Sequence, residues 1–157
     1  MEKKLKDGQK ITIRKLRISD LDLFYNFLVN SPKARKFWRH PADYETASNY
    51  VNAQRYQIVA TIKKKEVERI LGFAAVTDQG GIGLAVTDEY QHRGIGTILM
   101  ERLVEKAQKL KLEHLEFTVF KENTAVQFYS SLGCQICDET PDGHSYIMRL
   151  MVGKQNG

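Results

Sequence analysis

A chain of 157 residues, 42% apolar and 27% charged, has the size and composition of one globular domain and can bury roughly 70% of its unfolded surface. Lysine and arginine exceed aspartate and glutamate by 24 to 19, a net charge of +5, which mildly disfavours polycationic ligands. No apolar run approaches the ~20 residues of a membrane span, and the charged start Met1-Glu2-Lys3-Lys4-Leu5-Lys6 lacks the apolar core of a signal peptide, so a cytoplasmic location is expected.

Residues 1–9 read as a polar lead-in and residues 152–157 as a flexible end. Ile11, Ile13 and Leu16 alternate as a first strand. Ser19 and Asp20 can cap a helix whose apolar stripe is Leu23, Phe24, Phe27 and Leu28. A second helix is expected over residues 44–56, begun near Asp43. Ile58, Ala60 and Ile62 then alternate as a strand, with a charged hairpin turn at residues 63–69. Residues 70–77 make the next strand; Gly80-Gly81-Ile82-Gly83 reads as a hairpin turn, and residues 81–86 as the fourth strand. A third helix, from about Ile95 to Leu110, carries Ile95, Ile98, Leu99, Leu103, Ala107 and Leu110 on one side, with Glu105 and Lys109 paired outside. Residues 114–120 read as a fifth strand, Asn123 or Thr124 caps a fourth helix that Gly133 ends, and residues 145–151 close the sheet. This order gives an α/β fold, a mixed and mostly antiparallel sheet of six to seven strands flanked by four helices, without internal repeat or linker.

The junction between the fourth strand and the third helix is where chemistry is expected. The strand-like Gly83-Leu84-Ala85-Val86 leads to Gln91-His92-Arg93-Gly94-Ile95-Gly96. Glycines there let backbone N–H groups approach a ligand, and a helix N-terminus places partial positive charge behind them. Such a corner suits a phosphate or pyrophosphate; taken alone, a Gly-x-Gly is also a plain tight connection. A Walker loop is absent, and the dinucleotide pattern fails because Leu99 stands where its third glycine belongs.

Other features read blandly. Cys134 and Cys137 form one Cys-x-x-Cys on a predicted strand; with only His144 close in sequence, small apolar strand residues are the favoured reading and no metal is expected. Lys33, Arg35, Lys36 and Arg39 lie beside Phe37 and Trp38. Basic residues among aromatics can mark a nucleic-acid surface, but Pro32 and Pro41 favour a solvated loop, and nucleic acid is disfavoured as a partner.

The run from Val86 to Leu99 resembles motif A of the GNAT family of N-acetyltransferases, whose pattern is Gln/Arg-x-x-Gly-x-Gly/Ala between a fourth strand and a third helix. Downstream, Asn123-Thr124-Ala125-Val126-Gln127-Phe128-Tyr129-Ser130-Ser131-Leu132-Gly133 resembles the family's helix ending in Tyr-x-x-x-Gly. Residues 13–22 are similar to its opening strand and first helix, so the resemblance runs from about Ile11 to Met151. It implies a single GNAT-like domain over residues 1–157, splayed between strands four and five. The pantetheine arm of acetyl-coenzyme A would then pair with the backbone of Leu84, Ala85 and Val86. Gln91, His92, Arg93, Gly94, Ile95, Gly96 and Thr97 would wrap the pyrophosphate through their N–H groups, and Asn123 and Tyr129 would also meet the cofactor. Trp38 and His40, between the first two helices, would face the acceptor.

The implied reaction is attack by a primary amine on the thioester, the amine belonging to a small molecule, a peptide N-terminus or a lysine. An amine of pKa ~10.4 arrives mostly protonated, so water or a carboxylate must take its proton. An N–H near Val86 can serve the oxyanion. Tyr129 matches the family's tyrosine, and a phenol of pKa ~10 keeps a proton to give the departing thiolate; its other reading is a core residue beside Phe128 with its hydroxyl bonded to backbone. Two departures stand out. The strand-four glutamate of many members aligns with Gly81, leaving Glu116, Asp78 and His40 as candidate bases. The family's asparagine, seven residues before the tyrosine, aligns with Glu122, and Asn123 stands six before. The missing glutamate keeps open a second function, a non-catalytic acyl-coenzyme A binding or sensing module. The sequence leaves a homodimer open.

Overall fold

The computed structural model of the chain describes residues 1–33 and 41–153. It divides into two compact units, Met1–Ala75 with Gly83–Met100, and Val76–Ile82 with Glu101–Gly157.

The first unit is built on strands β1 (Glu2–Lys4), β2 (Lys10–Lys15), β3 (Tyr56–Lys64), β4 (Val67–Val76) and β5 (Ile82–Val86), hydrogen-bonded in chain order. β1 pairs antiparallel with β2, and β2 with β3. The lead-in therefore supplies a strand: Leu5 is buried, and its N–H donates to the Gln9 carbonyl at 2.8 Å while Gly8 N–H donates back to Leu5 at 2.9 Å. Between β3 and β4 the turn is only Lys65-Glu66, at φ 50° and 67°, the left-handed pair of a tight hairpin reached without glycine. Residues 57–62 of β3 are all buried, so the sequence alternation understates a strand covered on both faces.

Helix α1 (Leu21–Val29) and helix α2 (Tyr44–Val51) place Phe24, Phe27, Leu28, Tyr50 and Val51 in one cluster with Val59, Ile70, Phe73 and Ala85. Phe24, Tyr50 and Phe73 form a triangle of rings 5.1 to 5.3 Å apart, a packing that adds to simple area burial. The expected cap at Ser19-Asp20 is not made by a side chain. Asp20 instead takes two hydrogen bonds from Arg14, at 2.7 and 2.9 Å, and one from Arg17 N–H. Burial pushes its carboxyl upward, but these donors outweigh it and hold the pKa below the usual range. Asp43 does cap α2, accepting from Thr46 N–H at 2.7 Å. The helix ends at Val51 rather than 56: Gln57 donates to the Tyr50 carbonyl at 2.8 Å, and residues from Tyr56 join the sheet.

The second unit holds β6 (His114–Phe120), β7 (Gln135–Glu139) and β8 (Ser145–Met151) in the order β6-β8-β7, both pairs antiparallel. Eight strands thus stand among the described residues, β1 being the one the sequence did not suggest. The expected fourth and fifth strands are β5 and β6, which belong to different ladders. Helix α3 (Ile95–Lys109) contributes to both units, and α4 (Ala125–Ser131) to the second. Asn123, not Thr124, serves the start of α4, its Oδ1 accepting from Ala125 N–H at 2.9 Å. Gly133, at φ +95°, closes it. Cys134 is buried beyond it, just before β7, whereas Cys137 stands on that strand, as expected, exposed at a bulge.

Candidate functional site

In the first unit, β5 ends the five-stranded order, so one of its edges has no strand beside it in that sheet. Ala85 is buried, and Leu84 and Val86 are half-buried. The exit from the strand is fixed by Thr87, whose N–H donates to Leu71 and whose hydroxyl donates to the Asn30 carbonyl, both at 2.8 Å. A short turn, Asp88–Tyr90, follows. Gln91 then folds back, its Nε2 donating to the Val86 carbonyl at 2.8 Å. His92 at φ 61° and Gly94 at φ 95° reverse the backbone twice before α3 begins at Ile95.

This path leaves a row of donors. The first bond into the helix is from Ile98 N–H to the Gly94 carbonyl at 3.2 Å. Among the described residues, no acceptor faces the N–H groups of residues 92–97. Consecutive unpaired amides at a helix start make an anion-binding concavity backed by the helix dipole. Gly94 is needed for its left-handed φ, since an added Cβ would meet only Lys6 Cε at 3.9 Å. Gly96 lies in the first turn of α3 and has no such requirement.

Three supports of this loop escaped sequence reasoning. The Arg93 guanidinium lies 4.8 Å over the Tyr90 ring and donates to Asp7 at 3.0 Å. Tyr90 is buried, its hydroxyl 3.3 Å from Gln9 Oε1. The β1–β2 turn is thereby tied to the loop. Gly72 in β4 is the third: a Cβ there would fall 2.9 Å from Ile95 Cγ2 and 3.0 Å from Leu99 Cδ1, so glycine lets the first turn of α3 lie against the strand. Its only sequence signal was a lone glycine in a strand-like run.

In the second unit, Tyr129 on α4 is buried, its ring 4.6 Å from Phe117 and 5.3 Å from Phe128. No described residue forms a hydrogen bond with its hydroxyl. Asp88 Oδ1 is the sole fully buried side-chain polar atom without a partner among the described residues. Burial, with Cys134 nearby, pushes the phenol well above its usual range, and burial pushes the Cys134 thiol up to about 11. Both groups stay protonated at neutral pH.

Asn123 spends its carbonyl oxygen on the α4 start, leaving its amide N–H groups as donors. Of the candidate bases, Glu116 is paired with Arg149 at 2.6 Å, Asp78 is exposed in the turn before β5, and His40 lies outside the described residues, as does Trp38. Of the basic patch at residues 33–39, only Lys33 is described. Among the described residues no group of three or more His, Cys, Asp or Glu could hold a metal ion, and no helix is long and apolar enough to cross a membrane.

Residues 26–149 match the family model described as acetyltransferase (GNAT) domain, and the chain belongs to that family. No curated protein matches the sequence. Among solved structures, the chain is similar to the GNAT domain of S. lividans PAT, with TM-score 0.84, 14% identity and 96% of each chain covered. It is similar to the ribosomal-protein-S18-alanine N-acetyltransferase of Escherichia coli, with TM-score 0.70, 22% identity, and 93% of this chain and 96% of that one covered. It also resembles the PaiA N-acetyltransferase of Thermoplasma acidophilum in complex with coenzyme A, with TM-score 0.71, 20% identity, and coverage of 90% and 98%. At these identities the likeness speaks to the fold.

Proposed function

We propose that the protein is an acetyl-coenzyme A-dependent N-acetyltransferase that moves the acetyl group to a primary amine by direct attack on the thioester. The observation that supports this most is the row of unpaired amides at residues 92–97, set after the free-edged strand β5. A pyrophosphate needs several donors in one concave arc, and backbone N–H groups supply them without side chains. The free edge of Leu84, Ala85 and Val86 offers main-chain groups to a pantetheine amide, and an N–H near Val86 offers one to the oxyanion.

The amine attacks the carbonyl carbon, its proton leaves through water, and the tetrahedral intermediate expels the thiolate. Tyr129 protonates that thiolate. Its hydroxyl, unpartnered among the described residues, supports the assignment, because a core tyrosine of this burial ordinarily bonds its hydroxyl to protein. Glu116, held by Arg149, is a poor base. Asn123 would reach the cofactor through its amide nitrogen, and Trp38 and His40 keep their assignment to the acceptor side by resemblance. The two compact units belong to one acetyltransferase domain in this reading, and its location is the cytoplasm. The coenzyme A complex of the similar structure from Thermoplasma agrees with the cofactor.

Calorimetric titration with acetyl-coenzyme A, with ADP as control, tests the reading. Micromolar binding at one site per chain is expected, followed by thiol release when an amine acceptor is added. No binding at millimolar cofactor overturns it. Binding without thiol release from any small amine, peptide or lysine acceptor favours the non-catalytic binding module, for which the occupied Glu116 and the glycine at position 81 speak.

A further inference from the structure

The β1–β2 turn does more than close a hairpin. Two of its residues are consumed in holding the glycine corner: Asp7 accepts from Arg93 at 3.0 Å, and Gln9 lies 3.3 Å from the Tyr90 hydroxyl. Asp7 also accepts the Gln9 N–H at 3.0 Å, and that bond, with burial opposing it and the Arg93 charge assisting, keeps its carboxyl below its usual range. Arg93, the loop's own cation, is thereby paired with Asp7 and lies over the Tyr90 ring.

Lys6 is the cation left over. It is exposed and has no acidic partner among the described residues. Its Cε lies 3.9 Å from where a Cβ on Gly94 would stand. Its position is not left to chance, since the adjacent Leu5 is buried and the turn is closed by bonds at both ends. A flexible ammonium therefore hangs at the mouth of a row of bare amides, on a segment anchored to that row.

We propose that Lys6 completes the phosphate subsite of the cofactor site, supplying a charged contact beside an Arg93 already paired with Asp7. The inference rests on the reading of the corner as a coenzyme A site. Acetyl-coenzyme A carries two sources of phosphate, the pyrophosphate and the 3′-phosphate on the ribose, and the amide row and Lys6 share one chemistry for either.

The test compares Lys6→Gln, Lys6→Arg and Lys4→Gln with the parent chain, titrating each with acetyl-coenzyme A and with its 3′-dephospho form. Lys4 is an exposed lysine on the same hairpin and controls for overall charge. Lys6→Gln should weaken acetyl-coenzyme A binding by about tenfold, the range of a charge-assisted hydrogen bond, with the loss shrinking as salt is raised. Lys6→Arg should restore most of it, and Lys4→Gln should stay within about twofold. A loss of equal size with the dephospho form places Lys6 on the pyrophosphate; a loss that vanishes there places it on the 3′-phosphate. Parent-like affinity in Lys6→Gln overturns the inference while the cofactor reading stands. An equal loss in Lys4→Gln also overturns it, because general charge then accounts for the effect. If the parent chain binds no acetyl-coenzyme A, both readings fall together.

Discussion

The glycine corner and the tyrosine helix serve one proposed reaction but are built in opposite ways. At residues 92–97 the proposed working atoms are backbone amides, and side chains such as Arg93 and Tyr90 act as struts behind them. On α4 the proposed working atom is one hydroxyl, and the backbone is the strut: the Tyr129 ring is held by Phe117 and Phe128, and its carbonyl accepts from Leu132 and Cys134 N–H, both at 3.1 Å. A site made of amides should lose binding when the chain's path is disturbed and tolerate side-chain changes that spare the path. A site made of one hydroxyl should lose turnover when that oxygen goes, and keep binding.

The largest effect expected is therefore at Tyr129. Tyr129→Phe removes only the hydroxyl, and kcat should fall by about a hundredfold, the low end of general acid–base contributions, or ~2.7 kcal/mol of barrier. Affinity for acetyl-coenzyme A should stay within about twofold, because packing of the ring is preserved. Thiol-release kinetics beside calorimetry read the two separately. Unchanged kcat would return Tyr129 to the core as a packing residue and leave the corner as the sole functional element.

How much of this was visible in the sequence follows from the range of each interaction. The Gly94 corner, the Asp43 cap and the Gly133 stop are local: one residue and its neighbours decide them, and all three stand where the pattern put them. Tyr129 was singled out by resemblance to the family's Tyr-x-x-x-Gly helix, and the residue does lie on α4. What could not be read is set by distant partners. Arg93 and Asp7 are 86 residues apart along the chain, so nothing in either neighbourhood reports the pair. β1 is a strand of charged residues, Glu2-Lys3-Lys4, stabilised by its ladder to β2 rather than by an apolar face. Asp20 looked like a cap, and became one arm of an ion pair, because Arg14 arrives from β2. The α2 boundary moved because Tyr56 and its successors gain a ladder in β3.

Gly72 is the test of whether the corner depends on what lies beneath it. Gly72→Ala drives a Cβ to 2.9 Å from Ile95 Cγ2 and 3.0 Å from Leu99 Cδ1, and overpacking of this kind costs about 2 kcal/mol. The melting temperature should drop by about 4–8 °C for a chain of this size. Because Ile95 opens α3, cofactor affinity should weaken in the same variant even though no ligand-facing atom has changed. A stable Gly72→Ala with parent-like affinity would mean that the helix start adjusts freely, and the strut picture would fail.

A smaller effect is expected at the corner itself. Valine at Gly94 must adopt φ near +95° or bend the loop, a strain of ~1–2 kcal/mol, so acetyl-coenzyme A should bind about tenfold more weakly. Gly96→Ala sits in an ordinary helical turn and should change affinity by no more than about twofold. Equal losses in the two variants would show that bulk near the ligand, not backbone path, governs the corner.

The smallest effect concerns pH, and it belongs to the tyrosine side alone. Burial lifts the Cys134 thiol from 9.0 to about 11, so the folded chain holds a proton that the unfolded chain releases. A raised folded pKa gives stability that is complete below pH 9 and is lost as pH climbs toward 11. Between pH 9 and 10 the loss should reach about 1 kcal/mol, seen as a falling denaturation midpoint. Cys134→Ala forfeits some packing at every pH, which shifts the curve down without tilting it; what should disappear is the slope between pH 9 and 10. Tyr129 is pushed up from an ordinary value of 10.0, so its own contribution begins near pH 10 and survives in Cys134→Ala. A slope unchanged by the substitution would assign the alkaline loss to other groups and leave the thiol exchanging its proton with solvent as freely as in the unfolded chain.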